Sequence, residues 1–403
     1  MIKKNILQNG MNVITDYDNR FNTCTISYII KTGSFYESGF NKGIAHLSEH
    51  ILTANNNKYD FNDIDLIGGE FSAETYFNRT RFSINIPNKN IIKALDILTE
   101  FLFDYDIDER KLEIEKNIVK EEIIELDDNP RSFIVLKTND VMHKNNPEYQ
   151  CITGILESVN KITKVELTEF INTFYTPNNI TLLVSGNVEH NDVLNYLSNR
   201  VSKFRDNKSV IVNTKPIMGE VLNFRSDKFI KEELGQTFLG WGIHINGCRT
   251  KDYYTMEIID SLLFGGLSSR FYSDFREKNG LVYEINSYNN YLKGYASHAG
   301  SISSSTSDIH RLKEIIWTHY NDLATRFISQ EELHKAKSYL NAQVLRIFDD
   351  IEDKNFIFSE LVIAGIDISK NAIDEINKIS IHDIADFCKK YFSKNNICFV
   401  EVG

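Results

Sequence analysis

Phe174-Tyr175-Thr176-Pro177-Asn178-Asn179-Ile180, which continues as FYTPNNITLLVSG to Gly186, has a counterpart at the end of the chain. There, Tyr391-Phe392-Ser393-Lys394-Asn395-Asn396-Ile397 continues as YFSKNNICFVEVG to Gly403. Asn178 and Asn395, Asn179 and Asn396, Ile180 and Ile397, and Gly186 and Gly403 are each 217 residues apart. Upstream, Leu167 and Phe170 fall on Ile384 and Phe387 at the same offset. An ungapped match of this kind reads as an internal duplication. Its unit is a helix, a short Asn-containing turn and a buried strand. Other segments correspond more loosely. TISYIIKTG (Thr25 to Gly33) resembles TFLGWGIHING (Thr237 to Gly247), and each precedes a helix pattern. FSAETYFNRTRFSINI with helix NIIKALDILTEFLF resembles YEINSYNNYLKGYASHAGSI with helix DIHRLKEIIWTHYNDL. This order predicts an α+β protein of two duplicated domains, residues 1–208 and 209–403. Each is expected to be a mostly antiparallel sheet with helices packed on one face, the pair enclosing a cleft. Asp206, Asn207, Lys208 and Pro216 interrupt the apolar pattern and place the boundary between Arg205 and Arg225.

In the first half, His46-Leu47-Ser48-Glu49-His50 reads H-x-x-E-H, the inverted form of a zinc-site signature. On a helix, His46 and His50 are four residues apart and share a face, so both imidazoles can reach one ion. Glu49 lies on the same side, close enough to act on an activated water without being a ligand. The same spacing also arises on surface helices, so a third ligand matters: a catalytic zinc usually takes three from the protein. Asp108 to Leu126 (DERKLEIEKNIVKEEIIEL) is a charged helix pattern with Leu112, Ile114, Ile118, Val119, Ile123 and Leu126 as its apolar set. Glu115 and Glu122, two turns apart, project from one of its faces. Glu122 could complete a site with His46 and His50, and Glu115 could hydrogen-bond a ligating imidazole and fix its tautomer. Spacing alone does not choose between Glu122 and the adjacent Glu121.

The second half has no such motif, and its helix Asp252 to Phe264 reads as a packing helix. After it come Phe264-Gly265-Gly266-Leu267-Ser268-Ser269-Arg270 and then Phe275-Arg276-Glu277-Lys278-Asn279-Gly280-Leu281-Val282-Tyr283. Arg276 and Tyr283 could bring a cation and a phenol donor to an oxyanion, although both residue types are common at interfaces.

The 403 residues are 42% hydrophobic and 25% charged, enough for two domains with full cores. A net charge of −11 without a Lys/Arg-rich run argues against nucleic acid and favours a basic or neutral substrate. The five cysteines (Cys24, Cys151, Cys248, Cys388 and Cys398) are scattered, never C-x-x-C, and suit a reducing compartment rather than a thiolate metal site. No apolar run has signal-peptide or membrane-span length, so no membrane span and a cytoplasmic location are expected.

With these motifs in hand, the chain resembles the pitrilysin/insulysin peptidases, specifically the short bacterial members similar to the catalytic subunit of mitochondrial processing peptidase. The resemblance runs through ILQNGMNVIT, KTGSFYE, GIAHLSEHIL, EKNIVKEEI, NPEYQCITG, FYTPNNITLLVSGNV and LLFGGLSSRFYSDFREKNGLVYEI. It implies Glu122 as third ligand of one Zn2+ per chain, Glu115 as the supporting carboxylate and Glu49 as catalytic base. It also implies Arg276 and Tyr283 as contacts to the bound peptide and the tetrahedral intermediate. A substrate-binding edge strand is implied over Glu70 to Tyr76, through Ser72, Ala73 and Glu74. Family members often carry Asn-Ala where this chain has Ser72-Ala73. The expected activity is zinc-dependent endopeptidase cleavage of short or unfolded peptides in an enclosed chamber. A maturation protease for one leader peptide and a non-catalytic assembly subunit are the alternatives. Because zinc motif and Arg/Tyr pair share one chain, the expected assembly is a homodimer, with a heterodimer of related subunits as the other form.

Overall fold

The computed structural model of the chain describes residues 1–54, 58–145, 151–198, 200, 219, 221–232, 234–282 and 284–403. Two compact units emerge. The first comprises Met1–Glu125, Cys151–Lys215 and Ile347–Ile363; the second comprises Leu126–Gln150, Pro216–Arg346 and Ala364–Gly403. The 208/209 boundary itself lies outside the described residues. Each unit also takes one helical segment from the other half of the sequence.

The first unit is built on strands β1 (Ile2–Ile6), β2 (Asn12–Tyr17), β3 (Thr23–Ile30), β4 (Glu70–Thr75), β5 (Thr80–Pro87) and β6 (Ile180–Gly186), in the order β1-β2-β6-β3-β5-β4. The second has β7 (Arg225–Phe229), β8 (Thr237–Asn246), β9 (Ile285–Leu292), β10 (Tyr295–Ser304) and β11 (Ile397–Val402), in the order β7-β11-β8-β10-β9. Among the described residues, only β2–β6 and β7–β11 run parallel. The second sheet therefore repeats the first without its outer strand β1, as a duplication requires.

The repeated Asn has a definite task in both units. Thr163 and Ser380 cap helices Lys164–Phe174 and Ile381–Tyr391, their hydroxyls accepting from Glu166 and Asp383 backbone N–H. At the other end, Asn179 Nδ2 donates to Phe174 O at 2.9 Å and to Lys31 O at 3.1 Å. Asn396 Nδ2 donates to Tyr391 O at 2.8 Å and His244 O at 2.6 Å. One amide thus satisfies a helix-end carbonyl and ties that helix to the strand next door.

Alternation along the strands sets the core. Cys24, Ile26, Tyr28 and Ile30 of β3 and Phe82, Ile84 and Ile86 of β5 pack under helices Ile44–Ala54, Ile91–Phe103 and Lys164–Phe174. Leu239, Trp241, Ile243 and Ile245 of β8 do the same in the second unit. The opposite face of each sheet is also covered, by a helix that local periodicity did not place there. On the first sheet it is Ile351–Ala364: Asn355 accepts from Ser27 Oγ (2.5 Å) and donates to Thr25 O (3.2 Å) and Ser185 Oγ (3.0 Å). On the second it is Pro130–Met142, which lies so close to β8 that a Cβ at Gly240 would sit 2.1 Å from Thr138 Oγ1.

The charged helix runs over Glu109–Asp128. Leu112, Val119 and Ile123 are buried as the spacing predicts, whereas Ile114 and Ile118 stay exposed. Among the described residues, no helix is long and apolar enough to cross a membrane.

Candidate metal centre

The H-x-x-E-H residues occupy the helix Ile44–Ala54, whose entry is firmly held. Gly43, at φ +90°, has no room for a side chain: a Cβ would sit 2.7 Å from Thr153 O. Glu37 clasps the first turn, accepting from Gly43 N at 3.1 Å on each oxygen and from Ala45 N at 3.0 Å. These donors are the backbone groups a helix start leaves without partners. Burial pushes the Glu37 carboxyl up to about 8, against those same hydrogen bonds. Leu47, Ser48, Ile51 and Leu52 face the core, so the helix turns His46 and His50 together towards its partly open side.

The two rings stand edge to face with centroids 4.7 Å apart. Glu122, from the helix Glu109–Asp128, straddles them. Its Oε2 is 3.5 Å from His46 Nε2 and its Oε1 is 3.7 Å from His50 Nε2. One donor atom from each of the three residues lies within 4.8 Å of the others. The two Glu122 distances exceed a good hydrogen bond and lie near the roughly 3.4 Å expected between neighbouring ligands of a tetrahedral zinc. Glu121 is exposed, and successive helical residues point about 100° apart, so of these two neighbours it is Glu122 that faces the imidazoles.

The protonation state of His46 favours the same use. Burial, then the neighbouring His50, lowers the His46 pKa to about 3 and leaves its ring neutral, with a free lone pair. Burial alone would also lower His50, but the Glu115 hydrogen bond and the negative Glu49, Glu122 and Glu115 raise it above its ordinary value. Glu115 Oε2 is 3.1 Å from His50 Nδ1, which fixes the tautomer and turns Nε2 towards Glu122. Two imidazoles, a carboxylate and a supporting carboxylate make a donor set suited to zinc.

Glu49 is 7% exposed. Burial pushes its carboxyl up to about 7, against a hydrogen bond from Thr75 and the proximity of His50. That bond, Thr75 Oγ1 to Glu49 Oε2 at 2.6 Å, was not anticipated from the motifs. Its only trace in the sequence is position: Thr75 lies two residues beyond Ala73, on the same side of the strand. β4 lies at one edge of its sheet, opposite β1. Ala73 packs against the core, Ser72 Oγ meets Ser83 Oγ at 2.7 Å, and Glu74 pairs with Arg81 at 3.1 Å. Arg276 belongs to the second unit, exposed on the π-helical turn Tyr272–Lys278 with its guanidinium over the Tyr272 ring. Tyr283 lies outside the described residues.

Comparison with known proteins converges on the same chemistry. Residues 12–152 match the model of the insulinase family (peptidase family M16), and residues 161–340 match that of the peptidase M16 inactive domain. A Rickettsia felis protein named an uncharacterized zinc protease is 28% identical over 401 residues, covering 96% of this chain and 94% of its own. A Bacillus subtilis protein, also named an uncharacterized zinc protease, is 23% identical over 98% of this chain and 97% of its own. The crystal structure of a Helicobacter pylori protease superimposes with a TM-score of 0.91 at 19% identity, over 100% of this chain and 99% of that one. With the metal motif in the part matched by one family domain and a motif-free duplicate in the part matched by the other, the chain belongs to the insulinase-type M16 peptidase family.

Proposed function

We propose that this chain is a zinc-dependent endopeptidase that cleaves short or unfolded peptides. The observation that carries the reading is the spacing of His46 Nε2, His50 Nε2 and the Glu122 carboxylate, with Glu49 beside them on the same helix. A zinc ion held by those three side chains would supply Lewis-acid polarisation of a peptide carbonyl and bring a water's acidity towards neutrality. Glu49 takes the proton of the attacking water and passes it to the departing amine. The peptide lies extended as an added strand along the open edge of β4, at Ser72, Ala73 and Glu74, where backbone pairing needs little from side chains. An edge strand accepts only extended chain, which supports peptides over folded proteins as substrates. By the family resemblance, Arg276 and Tyr283 are the pair assigned to peptide contact and oxyanion stabilisation. That one chain carries both the metal cluster and this pair supports a subunit that needs no unlike partner.

The test is metal analysis of the purified protein with mass-spectrometric mapping of its products from a peptide library. One equivalent of zinc and broad cleavage are expected. A Glu49→Gln variant should keep zinc and lose most turnover, whereas His50→Ala should lose zinc. Protein free of zinc and inert towards peptides defeats the proposal. Cleavage confined to one leader-like sequence moves it to a maturation protease.

A further inference from the structure

Alternation along β4 decides what each of its side chains can reach. Phe71 and Ala73 turn into the core beneath the helices, while Ser72 and Glu74 turn to the other face, towards Ser83 and Arg81. Thr75 falls on the core side and thereby meets the helix Ile44–Ala54, where its hydroxyl donates to Glu49. A one-residue slip of register would present Glu74 instead, one carboxylate against another. The hydroxyl has a single proton. Its other neighbour, Thr80 Oγ1, is 3.5 Å away against 2.6 Å for Glu49 Oε2, so the proton goes to the carboxylate as a charge-assisted bond. Among the described residues, no other hydrogen bond holds the Glu49 carboxylate.

The geometry points to Thr75 as the positioning residue of the general base, a role that rests on the endopeptidase reading above. Glu49 has several rotatable bonds on its side chain, and only this bond fixes where its carboxylate lies. Oε2 is held and Oε1 stays available to a water. The residue that fixes it belongs to the strand whose open edge receives the peptide. Proton acceptor and scissile bond are therefore referenced to one rigid element, and precision of placement is what catalysis by a positioned base demands.

Two substitutions separate this role from mere packing. Thr75→Val keeps the volume and removes the donor; Thr75→Ser keeps the donor. With a quenched peptide that the wild type cleaves, Thr75→Val should lower kcat about 10- to 100-fold, the worth of a hydrogen bond to a charged group. KM should change less than about twofold and zinc content not at all. Thr75→Ser should recover kcat to within about threefold of wild type. A Val variant with wild-type kcat, or a Ser variant as slow as Val, overturns the assignment. A second readout needs neither metal nor turnover: a urea-denaturation cycle over Thr75→Val and Glu49→Leu on metal-free protein. The double variant should lose less than the two singles together, by about tenfold in the unfolding equilibrium constant, and strict additivity overturns the bond. A wild type that cleaves nothing sinks the peptidase reading alone, and the cycle still decides whether Thr75 holds Glu49.

Discussion

Replacing Glu115 tests whether the carboxylate behind His50 matters to the metal as its position suggests. The bond from His50 Nδ1 to Glu115 Oε2 is 3.1 Å, and the two side chains are 16% and 14% exposed. Solvent therefore cannot easily substitute for either partner. Two effects are combined in this bond: it fixes the Nδ1–H tautomer, and its negative charge makes Nε2 a better donor. Glu115→Gln keeps an oxygen that can accept from Nδ1 but removes the charge, so zinc affinity should fall about 10-fold, or about 1.4 kcal/mol. Glu115→Ala removes both and leaves a partly buried N–H without its partner. Affinity should then fall about 100-fold. Competition of each variant against a chelator of known zinc affinity, at one pH and ionic strength, measures the two differences. Equal affinity in wild type, Gln and Ala variants would refute the reasoning, since the bond would then orient nothing the metal uses. Equal loss in Gln and Ala would show that charge alone matters, not the tautomer.

Other expectations concern stability. His143, His244 and His298 are buried in the second unit, and burial lowers their pKa values to about 3, 4 and 3. The unfolded chain takes up protons there that the folded chain refuses, so their contribution is complete above the ordinary value of roughly 6.5 and lost as pH falls below it. The loss is about 1.4 kcal/mol per pH unit for each. Thermal melts at pH 7 and pH 5 should show a clear drop, and an unchanged midpoint contradicts it. Asn355→Leu leaves the Thr25 carbonyl and the Ser27 and Ser185 hydroxyls without their buried partner. It should cost about 3 kcal/mol in urea denaturation; under 1 kcal/mol would mean water replaces the amide.

The sequence made some levels of this molecule legible and hid others, for physical reasons. The 217-residue repeat was readable because one Asn performs the same two bonds in each unit, Asn179 at Phe174 and Lys31, Asn396 at Tyr391 and His244. Such local closure leaves a local signature. His46, Glu49 and His50 were readable because helical spacing alone puts them together. Glu122 needed the family resemblance, since whether it or Glu121 faces the imidazoles depends on the rotation of a separate helix. The helices on the second face of each sheet left no local trace. Asn355 reaches Ser27 across 328 residues, and Gly240 reads as an ordinary strand glycine until Thr138 is laid against it. The apolar set of that helix includes Ile114 and Ile118, yet of its members only Leu112, Val119 and Ile123 are buried. A long charged helix can carry isoleucines on two faces, and periodicity does not say which face is covered.

The duplication also shows what makes one unit a metal centre and the other not. The helix Thr250–Phe264 shares much of the burial scheme of Ile44–Ala54 when set 211 residues on: positions 44, 45, 47, 48, 51 and 52 are buried, and so are 255, 256, 258, 259, 262 and 263, whereas 49 and 50 are buried and half-buried and 260 and 261 the reverse. Glu257 then stands at the place of His46, Asp260 at that of Glu49 and Ser261 at that of His50. A related tie occurs two residues along the strand: Ser287 Oγ on the edge strand β9 donates to Asp260 Oδ2 at 3.2 Å, but the strand registers set Ser287 at the place of Ala73 and Asn289, which also hydrogen-bonds Asp260, at that of Thr75. Burial again raises the acids, Glu257 to about 7 and Asp260 to about 6. What the second unit lacks is neutral nitrogen donors four residues apart on that helix. Among the described residues, only His46, His50 and Glu122 bring three metal-binding side chains together. A polar side chain of the edge strand thus binds a helix carboxylate in both units, through different positions, and chemistry attaches to it only where the neighbouring helix positions are histidines. A contact that only braces a helix in one unit can orient a base in the other. For that reason the Thr75→Ser rescue of kcat, and not stability alone, is the measurement that distinguishes the two roles.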